Sequence, residues 1–447
     1  MNVTVTDMMQ ARESRAQMQR TLLETYGHTL LCFTMNIPGP VKDTPLIREG
    51  MALGEQLLRQ GFLRLGIVPL HDLRREAVTG CEHFYVCPAS PLTIKRLCAD
   101  IEETLPVGRL FDMDVLRPDG RKVERSEIGL PGRKCLICGE DVRVCARART
   151  HTVEKLQQKT EALLQAAITD DLCTTVARLA TQALLTEILV TPKPGLVDRA
   201  NSGSHSDMDI FTFAASTASL YPYYSQCARI GAETRNETPE AVFRRLRAPG
   251  RLAEGTMLEA TGGVNTHRGA IFSLGILCAA AGRLGRRNWQ MNALLSLTAE
   301  MTRGLTGQDF SGLTPETAVT FGQKLFLASG LRGVRGEAEA GFPLVRHHGY
   351  PALKRALADG LSLNDAGCAA LISIMAENTD TNLIHRGGPE RQKAVASAAA
   401  ALLRDRSLTR SALEEMDRDL IRENLSPGGS ADLLALTLML YFLEEQP

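Results

Sequence analysis

The sequence has no excess of either charge: 51 Lys and Arg balance 51 Asp and Glu. Nothing global therefore recruits nucleic acid or an anionic membrane, and phosphate binding is left to local groups of basic residues. A long hydrophobic run is also missing. The longest apolar passages, near residues 269–282 and 433–443, fall short of the ~20 residues a membrane span needs. The start, MNVTVTDMMQARESR, has no apolar core of the kind a signal peptide carries. The eleven cysteines are an odd and mostly scattered set, unlike a disulfide framework in so large a chain. These absences predict a reduced, soluble, cytoplasmic protein without nucleic-acid or membrane partners. At 447 residues, against a usual domain size of ~100–200, more than one domain is expected.

What is present divides the chain in two. Up to about residue 155, helical spacing alternates with short strand-like runs. Residues 7–26, 44–61 and 91–104 carry helical periodicity, while 30–35, 64–70 and 83–87 look like strands. After it, strand signals nearly vanish. Helical patterns fill 170–190, 208–230, 267–285, 288–304, 315–330, 364–377, 390–405, 410–424 and 430–444. The change of period predicts an α+β domain over 1–160 and an all-α multi-helix domain over 161–447. The joint, TVEKLQQKTEALLQAAI, is polar and helix-favouring and carries no Pro or Gly.

In the first part, GRLFDMDV (108–115) puts Asp112 and Asp114 on one face of a strand, with Phe111, Met113 and Val115 on the other. Paired carboxylates repel unless a cation lies between them, so they suit Mg²⁺ held against a triphosphate. The alternative is a solvated Asp-x-Asp on an edge strand. Further on, Cys135, Cys138, Cys145 and His151 lie in RKCLICGEDVRVCARARTH. Three cysteines and a histidine can close a structural zinc site, although the second pair lacks the tight spacing of the first. Reduced thiols among basic residues fit equally. Arg133, Lys134, Arg143, Arg147 and Arg149 make this the strongest basic cluster of the first part.

Together with NIPGPVK (36–42), these two motifs resemble the apo-citrate lyase phosphoribosyl-dephospho-CoA transferase family over nearly the whole first part. The resemblance implies a nucleotidyltransferase-type domain. It would transfer a prosthetic group from its triphosphate form to a serine of the citrate lyase acyl carrier protein and release pyrophosphate. Asp112 and Asp114 would hold Mg²⁺, with Lys42 and Arg109 as phosphate ligands. The usual nucleotidyltransferase signature carries Gly-Ser well upstream of the aspartates, whereas Gly108-Arg109 sits directly before them here.

The second part gathers its polar residues where helices break. EILVTPKPGLVDRANSGSHSDMDIFTF (187–213) brings Glu187, Lys193, Asp198, Asp207 and Asp209 into one irregular passage. Asp207 and Asp209 diverge on a helix, so one is expected to cap it and the other to hold a metal. TGGVNTHRGAIFSLG runs two glycines, Gly262 and Gly263, into an apolar helix capped by Asn265 or Thr266. Free N–H groups there, with His267 and Arg268, predict a phosphate cradle. GVRGEAEAGFP adds Glu337, and NTDTNLIHRGG, with Glu377 directly before it, adds Asp380 and Arg386. Four such breaks in a helical domain predict one shared polar cavity.

These four passages resemble the triphosphoribosyl-dephospho-CoA synthase family across nearly the whole second part. The resemblance implies that the 2′-hydroxyl of 3′-dephospho-CoA attacks the anomeric carbon of ATP and that adenine leaves. Arg268 stands where much of that family has lysine. On this reading Asp207, Asp209 and Asp380 bind Mg²⁺ with Glu187 and Asp198 nearby. Lys193, His267, Arg268 and Arg386 grip the triphosphate, and Glu337 or Glu377 serves as acid or base. Two other functions fit the residues alone: a zinc-containing helical adaptor, and a metal-dependent hydrolase of ADP-ribose-type glycosidic bonds.

Overall fold

The computed structural model describes residues 2–405 and 408–446. It divides into two compact units, Met1–Asp170 and Asp171–Pro447. In the first, α1 (Val5–Tyr26) starts on a capping box between Thr4 and Asp7 and stops at left-handed Gly27. β1 (Thr29–Met35), α2 (Pro45–Leu65), β2 (His71–Ala77), β3 (Gly80–Cys87), α3 (Pro91–Thr104) and β4 (Phe111–Leu116) follow. Thr44 and Ser90 cap α2 and α3, each with proline in the first turn.

The four strands form an antiparallel sheet in the order β2-β3-β1-β4. One face carries Leu31, Phe33, Tyr85, Phe111, Met113 and Val115 and packs on α2 and α3. The opposite face meets Leu22 and Leu23 of α1 through Leu30, Cys32, Phe84, Val86 and Leu116. The strand expected over 64–70 is not there. Helix α2 runs on to Leu65, Gly66 ends it at φ 65°, and the strand begins at His71. This edge strand keeps no side chain fully buried, so its sequence carries little hydrophobic signal.

Beyond a short helix α4 (Val142–Ala148), the long α5 (Val153–Leu189) runs through Asp170. The second unit is all helical among its described residues. It continues as α6 (Ile210–Glu233), α7 (Pro239–Ala260), α8 (Arg268–Leu284), α9 (Met291–Met301), α10 (Leu305–Phe310), α11 (Phe321–Ser329) and α12 (Gly333–Glu339). The last five are α13 (Tyr350–Ala358), α14 (Leu363–Glu377), α15 (Thr381–Arg404), α16 (Arg410–Arg422) and α17 (Gly428–Glu444). Helix α7 was not expected from the sequence, although its buried Val242, Phe243, Leu246, Ala253 and Met257 keep helical spacing on either side of Pro249. Helix α15 breaks at Gly388 (φ 78°).

Helices α8 and α17 are buried almost all round, as their apolar runs require. Close packing of α6 on α8 depends on two glycines. A Cβ at Gly231 would lie 1.9 Å from the Ala279 carbonyl oxygen, and one at Gly282 would lie 2.0 Å from that of Ala228. No helix among the described residues is long and apolar enough to cross a membrane.

Candidate active sites

In the second unit a cavity of about 980 Å³ opens where the ends of α5, α8, α12, α14, α15 and α17 meet. Glu187, in the last turn of α5, is buried and ion-paired with buried Lys193. The passage after it is fastened from behind. Asp198 accepts backbone N–H bonds from Lys193 (2.9 Å), Ala200 (2.6 Å) and Asn201 (3.2 Å). Asp417 of α16 accepts from Gly195 N–H (2.8 Å) and from the Asn201 amide (2.9 Å). Two carboxylates that satisfy buried backbone donors let an irregular chain cross the interior.

Asp380 caps α15 and accepts from Asn382 N–H (2.9 Å), Ser430 N–H (2.8 Å) and Ser430 Oγ (3.0 Å). Asp432 lies in the first turns of α17 against the start of α8. A Cβ at Gly269 would come 1.9 Å from Asp432 Oδ2, so glycine is what lets that carboxylate lie there. Burial pushes the Glu187 carboxyl up against the pull of Lys193, and burial likewise raises Asp380 against its N–H donors. Asp432 is raised well above the usual carboxylate range, by burial and then by the charges of Glu187 and Asp380. A buried Asp432 carboxylate set against the charges of Glu187 and Asp380 forms a pocket that a divalent cation would relieve.

His267 faces the same cavity at the start of α8. Thr266 Oγ1 donates to Ser216 Oγ (2.7 Å), and Ser216 Oγ lies 2.7 Å from His267 Nδ1. With Ser216 donating in turn, Nδ1 accepts and the proton sits on Nε2, which is buried without a partner. Burial, then the nearby charge of Lys193, depresses this imidazole to about 3. It is therefore a neutral donor at physiological pH, where the sequence had suggested a cation. Arg386 at the rim donates to the carbonyls of Ser204 (2.8 Å) and Asn424 (3.3 Å) and stands 3.2 Å from His205 Nδ1.

The first unit has a smaller pocket of about 160 Å³ on the α1 face of the sheet. Strand register aligns Asp112, Thr34 and Glu82 across β4, β1 and β3. Around Asp112 and Glu82 stand Arg12 and Arg15 of α1, Lys42 and Arg48. Arg15 Nε donates to Glu82 Oε1 at 2.7 Å. Burial, then the charge of Arg12, lowers the Lys42 ammonium. Asp114 shares the Asp112 face and pairs with Lys122 at 2.5 Å. Cys135, Cys138, Cys145 and His151 converge as the sequence spacing allows, with ligand atoms all within 4.8 Å of one another. The donor set is compatible with zinc.

Residues 3–167 match the CitX family, described as apo-citrate lyase phosphoribosyl-dephospho-CoA transferase. Residues 173–447 match the CitG family, described as ATP:dephospho-CoA triphosphoribosyl transferase. A "Protein CitXG" of Haemophilus influenzae is 36% identical, over 98% of this chain and 95% of its own length. The chain belongs to the CitXG family. Another "Protein CitXG", from Leuconostoc mesenteroides subsp. cremoris, is 31% identical over 96% of this chain and 95% of its own. A "Probable 2-(5''-triphosphoribosyl)-3'-dephosphocoenzyme-A synthase" of Albidiferax ferrireducens is 43% identical over 62% of this chain and 92% of its own. The chain is thus a bifunctional transferase of citrate lyase prosthetic-group synthesis, with the CitX part first. The adaptor and hydrolase readings give way to it.

Of the residues singled out in the CitG part, the cavity brings together Glu187, Lys193, Asp207, Asn265, Thr266, His267, Arg268, Glu337, Glu377, Asp380 and Arg386. Four stand outside its lining. Asp198 fastens the loop, Asp209 caps α6 through Thr212 N–H (2.9 Å), and Gly262 and Gly263 form the left-handed turn after α7. Arg268 is half exposed and pairs with Glu254 at 3.3 Å. Glu337 accepts from Leu344 N–H (3.2 Å), and burial raises it. In the CitX part, Lys42 and Asp112 share the pocket, while Arg109 lies outside its lining.

Sequence reasoning missed Asp432, Ser216, Glu82 and the two α1 arginines. Asp432 had a signal: it is the lone charge in the apolar run ADLLALTLMLYFL, and a carboxylate buried there needs a partner.

Proposed function

We propose that the CitG cavity joins ATP to 3′-dephospho-CoA. Its 2′-hydroxyl oxygen forms the new bond to the anomeric carbon of ATP, the glycosidic C–N bond breaks, and adenine leaves with that electron pair. The hydroxyl proton passes to a carboxylate, and adenine takes up a proton. Such ribosyl transfers pass through an oxocarbenium-like state, so a carboxylate near the ring stabilises the developing cation.

The observation that carries this reading is the union of Glu187, Asp380 and Asp432 with Lys193, Arg386 and the neutral donor His267 in one cavity. Glu187, Asp380 and Asp432 would hold Mg²⁺, with Asp207 at the rim, and the ion would offset triphosphate charge there; held by Asp112 and Asp114 in the CitX part, it would also steady the leaving pyrophosphate. Lys193, Arg386 and Arg268 bind phosphate oxygens. His267 Nε2–H donates a further hydrogen bond that does not depend on charge. Glu337, whose raised carboxyl keeps a proton more readily, is the acid for adenine, and Glu377 takes the hydroxyl proton.

For the CitX part the reading is a nucleotidyltransferase-type fold acting on the resulting triphosphate. The serine oxygen of the citrate lyase acyl carrier protein forms a bond to the phosphorus next to the ribose, the P–O bond to the outer two phosphates breaks, and pyrophosphate departs while the hydroxyl proton is released. Asp112 beside Lys42, Arg12 and Arg15, with Asp114 on the same strand face and paired with Lys122, supports it. Eleven free cysteines accord with a cytoplasmic location.

The test is adenine release from ATP with 3′-dephospho-CoA and Mg²⁺. Asp380→Asn and Glu187→Gln are expected to lower it by about 10²-fold or more. Wild-type rates in both folded variants would remove the metal-carboxylate reading.

A further inference from the structure

Residues 133–151, between the sheet and α5, have almost no core of their own. Among them only Cys135 and Cys145 are buried. Leu136 makes the one partly buried apolar contact with the sheet-side core. Their backbone is nevertheless ordered into a turn and the two-turn helix α4, through Gly139 N–H to Cys135 O (3.2 Å), Val142 N–H to Arg133 O (3.1 Å) and Thr150 N–H to Cys145 O (3.2 Å). A segment of this size cannot fold on so little apolar burial, and small arms of the kind are normally held by a disulfide or a metal.

The sulfurs argue for the metal. Cys138 and Cys145 lie 3.3 Å apart, well beyond a bond of ~2.05 Å, and a disulfide would leave the third cysteine over. His151 brings a ring nitrogen to the group, and its Nε2 is buried without any hydrogen-bond partner. An orphaned buried nitrogen beside three thiols is costly unless it is ligated.

We propose that Cys135, Cys138, Cys145 and His151 bind one structural Zn²⁺ that clasps this arm beside the aspartate strand. Three sulfurs and a nitrogen select zinc over the oxygen-seeking Mg²⁺ or Ca²⁺, and four protein ligands leave no open position for catalysis. What the clasp fixes is visible at its first residue. Arg133 ion-pairs with buried Glu102 and donates to the Phe111 carbonyl (2.6 Å), immediately before Asp112. Glu102 in turn accepts from Met113 N–H (3.4 Å) between the two aspartates and from Arg125 (2.9 Å). Loss of the metal frees Arg133, and with it a support of the strand that carries Asp112 and Asp114. The consequence for activity rests on the transfer reading given above; metal binding itself does not.

The experiment is elemental analysis of the full-length protein, purified without chelators or metal-affinity resin, with intact mass and thiol accessibility measured on the same sample. About one zinc per chain is expected, lost in Cys138→Ser and in His151→Ala and kept in Cys81→Ser. Cobalt substitution should give the thiolate charge-transfer band and the strong visible bands of a tetrahedral site. Cys138→Ser should also lose protection from hydrogen exchange over 133–151 and lose carrier-protein charging, with adenine release unchanged. Metal-free wild-type protein whose Cys138 and Cys145 are freely alkylated would overturn the proposal. So would a mass lower by two hydrogens that maps to a Cys138–Cys145 disulfide. Zinc bound with charging unaffected by its loss would refute the clasp, and zinc bound to a protein with no transferase activity would contradict the functional reading instead.

Discussion

His267 shows what burial does to one side chain. Its ordinary value of 6.5 falls to about 3 in the folded chain, through burial and then the charge of Lys193. Between those values the unfolded chain takes up a proton that the folded chain refuses, so stability declines as pH drops from 6.5 toward 3 and is unaffected above. His267→Gln removes this contribution. Urea midpoints of the variant are expected to fall less steeply than wild type from about pH 7 to about pH 4.5; parallel curves would contradict the assignment. Asp432 makes the complementary case. Glu187 and Asp380 repel it, so Asp432→Asn should melt at least as high as wild type while adenine release falls by about 10²-fold. A variant that unfolds, or one that turns over normally, would show that the carboxylate serves packing or nothing.

At the scale of elements, the first turn of α8 sets two effects against each other. Gly269→Ala improves helix propensity by about 1 kcal/mol. It also drives a Cβ to 1.9 Å from Asp432 Oδ2. The collision is expected to decide the outcome, since a misplacement of about 1 Å at a reacting centre can cost ~10²-fold. Adenine release should therefore drop with the fold intact, as checked by circular dichroism beside the assay.

The same element shows where sequence reasoning stops. Its apolar run announced a buried helix, but the predicted cap did not form: Thr266 turns to Ser216, and His267 takes the cap position without a side-chain bond. Alternation along β4 was legible because a strand has period two, and Asp112 and Asp114 do share a face. The edge strand β2 was not: its exposure alternates, but the half-buried positions hold His71, Leu73 and Arg75, so its hydrophobicity does not. Asp209 looked like a ligand and caps its helix, a role open to any aspartate at such a start. Asp432 stood out as a lone charge in an apolar run, but its role was not legible: Glu187 and Gly269, which give it meaning, are distant in sequence and meet it only through packing.

For the whole molecule, each compact unit carries its own set of acids and cations, and the two family matches follow the same order along the chain. The two chemistries should therefore separate by mutation. Asp112→Ala is expected to abolish charging of the carrier protein and leave adenine release within about twofold of wild type, since the residues proposed for the two steps belong to different compact units and share no partners. Asp432→Asn should lower adenine release by about 10²-fold and, when supplied with the triphosphoribosyl product, charge the carrier protein as wild type does. The most direct measurement is of the product itself. Wild-type protein incubated with ATP, 3′-dephospho-CoA and Mg²⁺ should release one adenine for each new species, whose mass equals the two substrates combined less adenine. Ribose triphosphate formed at the same rate with dephospho-CoA left unchanged would contradict the account, because water and not the 2′-hydroxyl would then be the nucleophile.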